Sequence, residues 1–484
     1  YIATDEQEAV MKPTSPLMGY IAYMEKEYPF LFEDGILRLF PPTREDWRKR
    51  RRSLFQNLQE LKAKCQAQEW VGHSRLKGRT HDGDSIVFSV SDLSSNDNGF
   101  ESFSVDYHFK YNVSYLDDEQ IYGFSLTGKD VDRFYNPRCV FTTDVSCDEL
   151  GIQRTGVYVE NKNDNGAVCA GSYRYGDTEI TVSFRAVPTL HFRSEAPLSA
   201  HSRMIVSFSK PQNLEYLLQV YEHCCRFFYY VCYRRNIELD SPDIYGMRDG
   251  RKSNEGILWF PQNDLAGEVE QKDAEEMIVY DDLGEKMMAL FPPLAEDQIY
   301  LEHLCPSVAD RRSWGINHII LMFVAFEREF RNLYDDTIVR SDMYVEVRAE
   351  VMKFLENLKE NSHGKKKKYI GEMERTLSKT ENKYADRMEK AMRDCEEILC
   401  PFLKYYYRDD QSDDLIEDIC ARMNQLRNDA AHGNIDLQID PVHISDFAIL
   451  ESLIYAMRLK AIGVELEKIQ TCLQTMKGTR MILA

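Results

Sequence analysis

The chain has 484 residues, enough for two or three domains, and is 43% hydrophobic with 28 Tyr and 24 Phe, a composition that excludes a disordered chain. Its formal net charge of -20 excludes a generic nucleic-acid coating protein, which would be basic because phosphate contacts drive its affinity. The acidity is uneven: residues 1–309 carry 33 Lys and Arg against 49 Asp and Glu, whereas residues 310–484 carry 27 against 31, so local basic patches could hold RNA only in the second part.

Tyr1 rather than methionine opens the chain, and residues 1–10 read as a remnant ahead of a native start at Met11. Residues 11–80 look mixed. Pro41-Pro42 and the N-cap candidate Thr43 open a helix over 44–69. Its run Arg48-Lys49-Arg50-Arg51-Arg52 reads as a solvated helix face, with a nucleic-acid patch as the alternative. From Asp84 to Ser209 the period becomes two. Strands are expected at Ser85–Val90, Phe103–Phe109, Thr178–Ala186 and Met204–Phe208, punctuated by turns such as Asn98-Gly99, Asn165-Gly166 and Tyr175-Gly176-Asp177. This predicts a β-rich domain, a sandwich or a curved sheet. After Pro211 the helical period returns, and Leu214, Leu217, Leu218, Tyr221, Cys225, Phe228 and Val231 share one face of a buried helix over Gln212–Arg235. Strand-like pieces follow at Ile257–Phe260 and Met277–Tyr280, and the domain boundary is expected at Cys305-Pro306.

Beyond Trp314 the pattern is helical, over 313–335, 341–361, 371–403, 413–431 and 443–476, the last interrupted at Gly463. Ser362-His363-Gly364 and the lysines behind it, Lys365 to Lys368, read as a loop. The fold class expected is therefore α+β multidomain, with residues 1–305 β-rich and 306–484 an all-α bundle.

Chemistry concentrates at Gln425-Leu426-Arg427-Asn428-Asp429-Ala430-Ala431-His432-Gly433. The preceding helix opens at Ser412, with Asp413 and Asp414 in its first turn where the helix dipole favours acid. Leu415, Ile419, Met423, Leu426 and Ala430 step as a core stripe, and Cys420, Asn424, Arg427 and Ala431 form a second, small and polar one. Gly433 stops the helix, leaving His432 at its end, where it and Arg427 can converge. Those two residue types suit RNA cleavage without a metal. Histidine can move the 2′-hydroxyl proton near neutral pH, and arginine can hold phosphate oxygens as charge builds.

R-N-x-x-x-H followed by Gly resembles the R-x(4–6)-H signature of the HEPN superfamily, and the helical context over 306–484 agrees. Within it the chain resembles the ApeA-type proteins of bacterial antiphage defence, which join a β-rich N-terminal domain to a C-terminal HEPN domain. Arg203 to Pro211, followed by the helix from Gln212, looks like the end of that first domain. The resemblance implies a homodimer whose Arg-His pairs form one composite site, with Arg427 and His432 catalytic and Asn428 a positioning residue. It also implies host RNA, tRNA included, as substrate, abortive infection as outcome, and a phage-derived protein as trigger of the sensing domain 1–305. No cofactor or metal is called for. Glu327-x-x-x-Arg331 resembles an acidic-basic pair of some HEPN members, although an i,i+4 Glu-Arg pair is commonly a plain surface ion pair. A catalytically idle interaction, antitoxin or RNA-binding module is the alternative.

The remaining candidates read more simply. His223, Cys224, Cys225 and Cys232 scatter around a helix, as core residues do and zinc ligands do not, and Cys395 and Cys400 read the same way. His443 opens the last helix, with a supporting role beside His432 as the alternative. Lys365, Lys366, Lys367 and Lys368 are either solvated or steer RNA. The 12 cysteines without a disulfide framework, and the absence of an apolar run long enough to cross a bilayer, suggest a cytoplasmic protein.

Overall fold

The computed structural model describes residues 16–23, 25–47, 74–95, 100–147, 153–159, 169–190, 198–261, 276–307, 310, 315–335, 342–379, 384–408, 414–431 and 439–478. It is α+β, with a β-rich N-terminal region and a helical C-terminal one. The chain divides into two compact units, the first comprising 1–132, 136–221 and 238–266, the second 133–135, 222–237 and 267–484. Cys305-Pro306 lies within the second of these units.

The first unit is built on a closed barrel. Its strands are β1 (Leu17–Tyr23), β2 (Lys26–Glu33), β3 (Ile36–Leu39), β4 (Ser74–Thr80), β5 (Ser85–Ser95) and β6 (Glu101–Tyr111). The order is β6-β3-β2-β1-β4-β5, closed by β5 pairing β6 from Ser85↔Tyr111 to Ser95↔Glu101. Alternate residues point inward: Tyr28, Phe30 and Phe32 of β2 meet Phe88 of β5 and Phe103 and Val105 of β6 in one core. Phe30 and Phe88 pack edge-to-face with centroids 5.4 Å apart. Residues 11–80 thus hold four of the six strands. Asp34-Gly35, with φ of 52° and 75°, makes the two-residue turn between β2 and β3, a hairpin signal present in the sequence within the stretch that reads only as mixed. Gly19 and Gly78 let β1 and β4 approach closely, since a Cβ on Gly19 would meet the Arg79 carbonyl at 2.0 Å.

From the C-terminal half of β6 the sheet runs on through six more strands: β14 (Arg251–Trp259), β13 (Asp243–Arg248), β7 (Ile121–Leu126), β12 (Leu198–Gln212), β11 (Thr178–Leu190) and β10 (Cys169–Tyr175). A separate hairpin pairs β8 (Phe141–Cys147) with β9 (Gln153–Val159). The period-two stretches read from sequence lie in β5, β6, β11, β12 and β14. Thr43 caps the start of the expected 44–69 helix, accepting the Asp46 amide at 3.1 Å, while Arg48 to Arg52 lie outside the described residues.

Helix α1 (Leu214–Cys232) follows β12 directly. Its first turns pack on the sheet, where Tyr216 meets Phe208 and Tyr221 meets Phe124. Its last turns belong to the second unit: Tyr230 stacks on Tyr455 at 4.6 Å, and the Tyr455 hydroxyl donates to the Tyr230 carbonyl at 3.0 Å. Met277 and Ile278 form no strand. Both are buried, and the Ile278 amide donates to the Val231 carbonyl at 2.9 Å, so their apolar character reflects burial against α1 rather than sheet pairing.

The second unit continues with α2 (Ile316–Leu333), α3 (Asp342–Glu360), α4 (Gly364–Lys379), α5 (Tyr384–Asp394), α6 (Glu396–Tyr406), α7 (Leu415–Ala431), α8 (Pro441–Ala461) and α9 (Leu466–Met476). The single helix expected over 371–403 is split among α4, α5 and α6. The break at Gly463 is present, with φ of 80°. Helix α8 is buried on nearly every side from Asp446 to Leu459 and forms the axis of the unit. Among the described residues, no helix is long and apolar enough to cross a membrane.

Candidate functional site

Helix α7 buries Ile416, Ile419, Cys420, Met423, Leu426 and Ala430. Compared with the expected stripes, Ile416 replaces Leu415 in the core, and Cys420 moves there too, its Sγ 3.7 Å from Met392 Sδ of α5. Cys420 is therefore unavailable to a two-fold contact. Helix α5 packs on that side of α7, which the spacing alone could not specify.

Arg427 stands half-exposed near the C-terminal end of α7, with 37% of its side chain open to solvent. Its Nη2 donates to Glu327 Oε1 of α2 at 2.9 Å. Its guanidinium lies over the Tyr384 ring of α5, 5.5 Å from the centroid. Nη1 reaches Asn428 Oδ1 only at 3.5 Å. The second Glu327 oxygen accepts from Arg331 at 3.2 Å. One carboxylate is thus shared by two guanidiniums, and the cluster keeps a net positive charge facing solvent. The spacing of Glu327 and Arg331 reads as a surface pair in the sequence. What spacing misses is the third member, a hundred residues away in the chain.

Tyr384 is the floor of this cluster. It is buried between Phe323 and Phe326, at 5.5 and 5.2 Å, and its hydroxyl has no hydrogen-bond partner among the described residues. Burial, with Glu327 nearby, pushes its pKa well above the usual phenol value, so it stays neutral and serves Arg427 through its ring face. Tyr384→Phe should therefore keep the ring and shed an unsatisfied hydroxyl, leaving the thermal midpoint equal or higher and Arg427 in place. Tyr384→Leu should lose about 1 kcal/mol of cation–π and aromatic contact. A Phe variant less stable than the Leu variant in thermal melts would refute this role.

His432 and Gly433 lie outside the described residues, and α7 ends at Ala431, the residue before them. Asp446 of α8 ties α7 to α8 through Arg422. It is fully buried and accepts two bonds from Arg422, at 2.8 and 2.7 Å, and one from the Tyr407 hydroxyl. His443 opens α8 as expected, its Nδ1 accepting the Asp440 amide at 3.1 Å.

The expected loop at Lys365 to Lys368 is helical. Gly364, at φ of 60°, turns the chain after α3, and the four lysines form the exposed first turns of α4. A lysine run has good helix propensity, and its charge is relieved by solvent. His223, Cys224, Cys225 and Cys232 are buried in α1, and burial raises the Cys224 thiol pKa. Among the described residues no group of three or more His, Cys, Asp or Glu is placed to hold a metal ion.

A stripe of exposed apolar residues, Ile316, Ile320 and Val324, runs along α2 and leads through the next turn to Glu327. No protein-family model matches the chain, and neither a curated protein nor a solved structure matches it.

Proposed function

We propose that this chain is a metal-independent endoribonuclease of HEPN type, working as a homodimer in bacterial antiphage defence and cutting host RNA, tRNA included. The observation that carries this reading is the setting of Arg427. It belongs to the R-N-x-x-x-H segment and is clamped by Glu327 over Tyr384, with part of its side chain still open to solvent.

In this reading the 2′-hydroxyl oxygen attacks the adjacent phosphorus and the bond from phosphorus to the 5′-oxygen breaks. His432 takes the hydroxyl proton, and the second copy's His432 can return one to the leaving oxygen. Arg427 holds the non-bridging oxygens as negative charge grows. The products are a 2′,3′-cyclic phosphate and a 5′-hydroxyl. The apolar stripe Ile316, Ile320 and Val324, continuous with the cluster, supports a second copy as the occupant of that face. The β-rich unit would restrain the site until a phage-derived protein releases it.

The test is incubation of the purified protein with total bacterial RNA in EDTA, followed by analysis of fragment ends. Cyclic-phosphate ends from wild type, absent with Arg427→Ala and His432→Ala, are expected. The competing reading is a catalytically idle interaction module, because a Glu327–Arg427 ion pair also serves to pin α7 on α2. Growth arrest on overexpression that survives both substitutions would favour it.

A further inference from the structure

Helices α3 and α4 form a hairpin with a cleft of about 500 Å³ between them, lined by Met352, Lys359, Lys367, Lys368, Gly371 and Arg375, a volume in the range of small-ligand sites. Against a chain of net charge -20, α4 carries six basic residues and two acidic ones. Helical spacing divides the lysine run. Lys367 and Lys368 share the face of Gly364, Gly371 and Arg375 and line the cleft, whereas Lys365 and Lys366 turn toward the face of Tyr369 and Met373. Lys365, Lys366 and Lys367 make no ion pair with any described residue. Glu374, the carboxylate in the cleft, is paired with Lys359 and so opposes an incoming anion only weakly. Lys368 lies 3.9 Å from Glu372, a loose pairing it can exchange.

We propose that this cleft takes the phosphodiester backbone of a single-stranded RNA. Lysines on flexible stems suit a chain of phosphates whose spacing they can follow. A cleft of about 500 Å³ admits a single strand and not a duplex. Gly371 keeps the cleft open: a Cβ there would have only Lys359 Cε within 4 Å, at 3.8 Å. The proposal rests on the ribonuclease reading for the identity of the polyanion, and makes the hairpin the grip that delivers substrate to Arg427.

The test is fluorescence anisotropy of a labelled single-stranded RNA of about 16 nucleotides with the full chain in EDTA, between about 50 and 200 mM salt. Lys367→Glu with Lys368→Glu should weaken binding at least tenfold and reduce the log–log salt slope by roughly 1.4, at about 0.7 for each phosphate no longer neutralised. Gly371→Leu fills the cleft without changing charge and should weaken binding while circular dichroism and melting stay as in wild type. Lys367→Gln with Lys368→Gln is the milder form should charge reversal disturb folding. Wild-type affinity in these variants, no RNA binding by wild type, or variants that alter only the sedimentation coefficient, as an interface between copies would, each overturn the proposal. Fragment ends from the same samples separate the two readings. Weakened binding by variants of a chain that never cuts RNA keeps the cleft and removes the nuclease, and cutting with cyclic ends at undiminished affinity does the reverse.

Discussion

Arg427→Ala should lower RNA cleavage by about 10²–10³-fold, the range for removing one preorganised donor to a developing oxyanion. It should barely move stability. The ion pair it breaks is partly exposed, with side chains 37% and 19% accessible for Arg427 and Glu327, and such pairs contribute about 0.2–1 kcal/mol. Glu327 is not stranded either, because Arg331 still donates to it at 3.2 Å. Arg427→Lys should fail to rescue cleavage, since an ammonium cannot hold Glu327 and a phosphate oxygen in one plane. His432→Ala should cost about 10²–10⁴-fold through loss of the proton carrier. Gel analysis of fragments, with melting curves on the same preparations, checks both halves. Cleavage within a factor of two of wild type in Arg427→Ala would end the ribonuclease reading. Cleavage that disappears together with the fold would refute the separation of site from scaffold.

Glu329→Ala should destabilise the helical unit by about 3–5 kcal/mol. Glu329 sits two residues from Glu327 on α2 but faces inward, where Arg458 of α8 grips it with two bonds of 2.5 and 3.0 Å. Both side chains are buried, so truncating the acid leaves a guanidinium uncompensated in a low-dielectric interior. Burial holds the Glu329 carboxyl above its ordinary pKa although Arg458 pulls it down. An acid raised on folding stabilises fully below its unfolded pKa, and that contribution is lost as pH climbs through the raised one. At neutral pH the cost of burying the charged pair therefore offsets part of what its two bonds contribute. The double variant Glu329→Leu with Arg458→Met, which restores apolar packing, should recover most of the loss in urea unfolding followed by circular dichroism. A double variant no more stable than the single one would show that the pair itself is strongly favourable.

The alternation of Ser85–Val90 and Phe103–Phe109, the face of α1, the core step from Ile419 to Ala430 and the break at Gly463 were all legible locally, because side-chain direction in a strand or helix repeats over two to four residues. The R-N-x-x-x-H segment was legible for the same reason. Barrel closure was not. It depends on β1 pairing with β4 and β3 pairing with β6, strands far apart in the chain, and no local period encodes which edges meet. Neither could spacing say that Met277 and Ile278 are buried against α1 rather than paired, that Cys420 turns inward toward Met392, or that the lysine run divides across two faces of a helix. The arginine and its motif were thus determined by the sequence alone. Its clamp by Glu327 and its seat on Tyr384 were decided only when α2, α5 and α7 packed together, because ion pairs and ring contacts form at a few ångströms in space, whatever their separation along the chain.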